Sequence, residues 1–509
     1  MQRGNKPGRQ LIMILALLIM GGCQAIPDFP AQPRRVTVTA EGGRLLSYDT
    51  DEDDRADYEQ VLNRAGRKVE LRFAAADGGA SGAVNLDDMN GEAAPHFIIA
   101  LDGVPYDLVE QLYRQGHFRL FYPPSKVISC FPCMTDLAYQ RMFGGVRPLA
   151  YQAKHFDRRS NRIVPGNEIY LSGLNADWMK KLAYRCSTLL DAWAYVRPEF
   201  VFRHELRGMM EVFRQAEGGT YIVYSVGTAG LGTQGGREAI INYLRVVDRL
   251  CEQIVYERRG RVKITLLADH GHNMSGRGRV RFEEHLKEFG FRLSDRLQGP
   301  HDVVVIDYGL VTYAAFFTEE PAQVADALLQ SPVVTLACYP QEGQVVVRSL
   351  DGRAVIRRAG GRYSYSTEFG DPLGLLPVIA ELRRQGKVDG EGFIDDRALF
   401  EATIEHEYPD PLRRIWQAFY DLVQEPADLI VCLKDGWCHG SGVFNFLIGG
   451  ASSTHGSLNQ LNCATFLLTM LGETPPALRL EEVMPALGRY RAAPEESAGK
   501  IGKGLTRRN

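Results

Sequence analysis

Apolar residues along this chain gather into short unbroken runs, each followed by a stretch in which they recur every three or four positions. Phe97-Ile-Ile-Ala-Leu101 is the clearest run, and continuous apolarity of this kind predicts a strand buried on both faces. A helical pattern follows over 105–115, and the alternation repeats: 127–129 before 135–143, 220–225 before 237–255, and 262–268 before 282–289. Strand and helix in turn predict an α/β fold, a mostly parallel sheet sandwiched by helices. From 302 to 365 the pattern changes to short β-rich pieces such as 343–349 and 354–358, separated by the hairpin signals Asp351-Gly352 and Gly360-Gly361. These predict a β-rich inserted subdomain. An apolar run at 428–433, then Ser453-Thr-His455-Gly456, then an apolar helix over 462–471 predict the return of the core.

At 509 residues the chain exceeds one ordinary core. The patterns divide it into a signal peptide (1–22), an anchor segment and linker (23–95), a first part of the core (96–300), the β-rich insertion with a helical return (301–425), a second part of the core (426–485) and a basic tail without fixed structure (486–509). Arg3, Lys6 and Arg9 precede the apolar run 11–20, which is too short to span a bilayer and ends in Gly21-Gly22-Cys23. That ending resembles the lipobox of bacterial lipoproteins, with Met20 at the usual Leu position. The resemblance implies lipidation at Cys23 and a lipid anchor to the membrane of the cell envelope. Gln24, rather than Asp, fits outer-membrane sorting.

Hydrophobic residues at 45% and charged residues at 24% are ordinary for a folded chain, and a net charge of −3 argues against nucleic acid as the main partner. Eight cysteines follow Cys23, an even set that predicts some disulfides in a chain leaving the cytoplasm. Cys130-Phe-Pro-Cys133 has the spacing of a thiol-disulfide exchange pair but no thioredoxin-like surroundings. A local disulfide and plain packing are the other readings.

Two apolar runs end in metal-ligand types, Asp102-Gly103 and Asp269-His270-Gly271, and His455-Gly456 adds a third ligand-type fragment. Carboxylate oxygen and imidazole nitrogen suit zinc or manganese. With Thr135, which opens a helix three residues after Pro132, they resemble the alkaline phosphatase superfamily, in particular its type I phosphodiesterase and nucleotide pyrophosphatase branch. The resemblance covers roughly 96–290 and 425–475. It implies a metal-dependent hydrolase of phosphate esters, with a phosphodiester or pyrophosphate rather than a monoester as the small-molecule substrate. Thr135 would be the nucleophile, Asp102, Thr135, Asp269 and His270 would hold one divalent ion, zinc or manganese, and His455 would belong to a second.

One element departs from that pattern. Gly227 stands where the branch has an Asp and Leu231 where it has a His, so the second ion loses two ligands. His272 or His439 could replace them, one ion could suffice, or the chain could be a catalytically degenerate lipoprotein with a binding or envelope-assembly role. Cys130-Phe-Pro-Cys-Met-Thr135 also approaches the sulfatase motif, but Thr135 stands where that motif has Arg. His204-Glu205 is half of a zincin motif whose second His is missing at Gly208.

Overall fold

The computed structural model describes residues 27, 29–74, 80–88, 94–165 and 176–489. The signal peptide, Cys23 and the tail beyond 489 lie outside the described residues. The central sheet has seven strands in the order Leu182–Tyr184, Thr220–Ser225, His96–Leu101, Lys263–Ala268, Ala464–Thr469, Ser125–Ile128 and Ala477–Arg479. Six run one way; only Ala464–Thr469 is antiparallel to its neighbours. The mostly parallel α/β sheet expected from the alternation is therefore present. All six residues of His96–Leu101 are buried because both faces are covered. Ile98 and Ala100 face one core, while Phe97, Ile99 and Leu101 face the helices Tyr106–Arg114, Pro198–Gln215 and Gly227–Glu257.

The apolar run expected as a helix over 462–471 is instead the antiparallel strand Ala464–Thr469, preceded by one helical turn, Gln460–Cys463, that the Asn459 side chain caps. An unbroken apolar run carries no period to separate the two forms. Burial of all six residues between two strands settles it as sheet.

The insertion forms a nine-stranded, largely antiparallel sheet from Arg292–Leu293 to Phe393–Ile394. Leu429–Leu433, expected in the returning core, is its fourth strand, between Tyr313–Phe317 and Val334–Gln341. Burial of all five of its residues explains the parallel-core signature in the sequence. Residues 23–95, expected as anchor segment and linker, instead carry a five-stranded antiparallel sheet that runs from Arg35–Val38 to Ala80–Asn85.

That N-terminal sheet docks on the C-terminal half of the 31-residue helix Gly227–Glu257. Tyr58 packs its ring edge-on to Tyr256, centroids 5.2 Å apart. Beside them Lys68 and Glu252 form a buried ion pair, and Gln60 Nε2 donates to Glu252 Oε2 at 2.6 Å. Removing one partner of such a pair strands a buried charge. Lys68→Met is expected to lower the unfolding free energy by about 3 kcal/mol, and Lys68→Met/Glu252→Leu to recover most of it. Urea denaturation followed by circular dichroism checks both; equal losses in the single and double variants would remove the pair from the docking surface.

Candidate active site

Lys263–Ala268 lies beside His96–Leu101 with Ala268 paired to Leu101, so the next residue of each strand, Asp269 and Asp102, emerges at the same carboxyl edge. That edge is where open α/β sheets place ligands. Ser125–Ile128 runs the same way and leads through a turn to Thr135. The reversed strand Ala464–Thr469 starts at this edge, which brings the loop carrying His455 to it as well. The structure thus gathers Asp102, Thr135, Asp269, His270 and His455.

Asp269 is fully buried and Asp102 is 3% exposed. Asp269 Oδ1 accepts the backbone N–H groups of Gly103 and His270, each at 2.9 Å, while Oδ2 has no hydrogen-bond partner. Asp102 Oδ2 accepts the Tyr224 hydroxyl at 2.6 Å, which leaves Oδ1 toward Thr135. Gly103 makes the exit from the strand at φ +66°, and a Cβ there would lie 2.6 Å from the His272 ring. Glycine is required on both counts. Burial, followed by the charge of Asp269, pushes the Asp102 carboxyl well up, and burial pushes that of Asp269 up to about 7.

His270 Nδ1 lies 2.9 Å from the Gly271 carbonyl, which fixes the proton there and leaves the Nε2 lone pair facing the carboxylates. Burial pulls the His270 pKa down to about 4, so the ring is neutral. Nε2 stands 3.2 Å from Asp269 Oδ2, 3.8 Å from Asp102 Oδ1 and 3.3 Å from Thr135 Oγ1. Thr135 Oγ1 is 3.4 Å from Asp102 Oδ1. Donors about 2.1 Å from a tetrahedral ion stand about 3.4 Å apart. The three donor atoms of Asp102, Asp269 and His270 all lie within 4.8 Å of one another, and the unpartnered Asp269 Oδ2 faces the same space. This set fits one divalent cation.

Thr135 begins the helix Thr135–Phe143, whose first turn no side chain caps; its free N–H groups and dipole favour an anion. The preceding turn is held from the other side of the site. His455 Nδ1 lies 2.8 Å from Cys133 O, Cys133 N donates to Gly456 O at 3.1 Å, and Cys133 Sγ donates to Ser457 O at 3.2 Å. All eight cysteines of the described residues are free and buried, which corrects the expectation of disulfides. Burial pushes the Cys130 thiol up to about 11 and Cys133 well above its usual range, so neither supplies the thiolate that exchange needs. They act as packing and as weak donors.

His455 stacks on His270 with ring centroids 3.8 Å apart, and the His272 ring is 5.2 Å from that of His455. His272 is buried, with Nδ1 2.9 Å from Ser453 Oγ and Nε2 without a partner. His439 instead packs its ring on Phe282 and points Nε2 at the Ile306 carbonyl, 3.2 Å away. Of the two substitute ligands read from the sequence, His272 meets His455.

At the position of the missing Asp, a Cβ on Gly227 would lie 2.7 Å from Glu205 Oε2. Leu231 sits in the apolar core with Ile240 and Leu244. Glu205 is fully buried and accepts Ser225 Oγ at 2.6 Å, Val226 N at 2.9 Å and Gly227 N at 3.1 Å, so it caps the helix that starts at Gly227. Sequence reasoning missed Tyr224 and the capping role of Glu205. Tyr224 had a signal, since it stands near the end of an expected strand beside that of Asp102; Glu205 acts across the fold and had none.

No family model matches the chain, and no curated protein matches it by sequence. Among solved structures it is similar to murine ectonucleotide pyrophosphatase/phosphodiesterase 5, at 11% identity and a TM-score of 0.38 over 79% of this chain and 97% of that one. It is also similar to phosphonoacetate hydrolase from Sinorhizobium meliloti, at 11% identity and a TM-score of 0.43 over 82% of this chain and 98% of that one. The chemistry of the site is read from its own residues.

Glu205 gives a pH signature. Burial raises its carboxyl from an ordinary 4.5 to about 8, so the folded chain keeps this proton across a window in which the unfolded chain has lost it. Its contribution to stability is complete below pH 4.5 and is lost as pH rises toward 8, at up to about 1.4 kcal/mol per pH unit. Glu205→Gln is expected to flatten the decline of the unfolding free energy between pH 5 and 8, measured by urea titration at each pH. Parallel profiles for the variant and the parent would show that Glu205 is ionised in the fold.

Proposed function

We propose that the chain is a metal-dependent hydrolase of phosphate esters, acting on diesters or pyrophosphates rather than monoesters, with Thr135 as nucleophile. One observation carries this reading: Thr135 Oγ1 stands 3.3 and 3.4 Å from His270 Nε2 and Asp102 Oδ1, at the start of an uncapped helix. A divalent ion, zinc or manganese, held by Asp102, Asp269 and His270 would lower the pKa of the Thr135 hydroxyl and offset charge on the phosphoryl oxygens. The protein's own groups do the rest. Neutral His270 keeps Nε2 toward the hydroxyl, Tyr224 fixes the orientation of Asp102, and the first-turn N–H groups of the helix receive the phosphoryl anion. Attack by Oγ1, its proton released to solvent, would form a bond to phosphorus as the bond to the alcohol or phosphate leaving group breaks, and water would then cleave the Thr135 ester, giving one proton back to Oγ1 and its oxygen to the phosphate product.

Gly227 and Leu231, with Glu205 filling the space of a side chain at 227, favour a second reading: a degenerate lipoprotein that binds but does not turn over. In either case the proposed location is the bacterial envelope, most simply the outer membrane, through a lipid on Cys23.

Thr135→Ala is expected to lower turnover of bis-p-nitrophenyl phosphate by about a thousandfold or more with bound zinc or manganese retained, as read by elemental analysis. Equal turnover in both proteins would sink Thr135 as nucleophile, and a metal-loaded parent with no turnover on diesters or pyrophosphates would support the degenerate reading. For the anchor, the parent is expected to incorporate labelled palmitate and Cys23→Ser to lose it; label in both would displace the attachment from Cys23.

A further inference from the structure

Arg414, on the helix Pro411–Tyr420, is 3% exposed and has no ion pair among the described residues. The neighbouring carboxylate, Asp410, is engaged by Arg479 at 2.7 Å. A buried guanidinium without a carboxylate is expensive; here the two terminal nitrogens are satisfied mainly by carbonyls, while Nε has no hydrogen-bond partner. One terminal nitrogen donates to Leu458 O at 2.8 Å and Pro409 O at 2.9 Å; the other donates to Cys130 O at 3.2 Å and Cys133 Sγ at 3.4 Å.

Three of these acceptors belong to the two loops that make the site, while Pro409 O lies just before Arg414's own helix. Cys130 and Cys133 belong to the turn that delivers Thr135, and Leu458 ends the loop that carries His455. The loops also touch directly through His455 Nδ1 and Cys133 O. We propose that Arg414 is a positioning residue for the hydrolysis, a planar fork that locks the turn of Thr135 against the loop of His455. It touches neither substrate nor Thr135, and it acts through the backbone of both loops. A lysine brings a point charge without the fork and cannot hold all four acceptors at once. The inference rests on the hydrolase reading for its kinetic consequence and on geometry alone for its structural one.

The test uses the full chain with Arg414→Lys and Arg414→Met, and Arg479→Met as a control that breaks a buried bridge in the same region without touching either loop. Both Arg414 variants are expected to lower kcat on bis-p-nitrophenyl phosphate by about 10- to 100-fold, the scale of a small misplacement, with KM and bound metal unchanged. The control is expected to lower Tm while keeping kcat. Parent-like kcat in Arg414 variants whose Tm has fallen as far as the control overturns the positioning role. A parent without turnover would defeat the hydrolase reading instead. For that outcome the His455 Nδ1–H resonance in proton NMR, held by Cys133 O, decides independently. It is expected to exchange slowly with solvent in the parent and control and at least several-fold faster in Arg414→Lys; equal exchange overturns the proposal whether or not any ester is cleaved.

Discussion

Asp102 and Asp269 bring two carboxyl groups together at the ends of neighbouring parallel strands, in a place that water scarcely reaches. Desolvation and mutual repulsion both resist ionisation there, and much of the local structure answers that constraint. Backbone amides of Gly103 and His270 converge on one oxygen of Asp269, the Tyr224 hydroxyl holds one oxygen of Asp102, and the imidazole between them is kept neutral with its lone pair inward. The oxygen atoms left over face a shared space, an electrostatic demand that a divalent ion would meet.

The two sides of this centre are supported by different parts of the fold. The Thr135 side stands on the parallel sheet. The His455 side leans on the inserted antiparallel sheet, where Thr312 N donates to His455 O and Thr312 Oγ1 accepts Ser457 N, both at 2.7 Å. One apolar core runs from Ile98 and Val127 of the first sheet to Ala315 and Leu336 of the second, so the insertion is part of the frame of the site.

What could be read from the sequence was local. Asp102, Asp269 and His270 announce themselves because each closes an apolar strand, and Thr135 because it opens a helix after a proline turn. Ala464–Thr469 and Leu429–Leu433 were misassigned because an unbroken apolar run reports burial without reporting period, partner or direction. The loss at Gly227 was visible, but the carboxylate that fills the space came from another helix, 22 positions earlier. Arg414 and Cys130 are 284 positions apart, and nothing local in either segment points to the other.

The helix Gly227–Glu257 begins beside the site and ends beneath the N-terminal sheet, with a kink at Gly236. Near its far end Arg249 reaches the carbonyls of Pro27 and Phe29, where the described chain enters. The segment is thus a wall of the core that reaches from the edge of the site to the N-terminal sheet. Pro27 and Phe29 are therefore held at the end of that segment remote from the edge where Asp102 and Asp269 emerge.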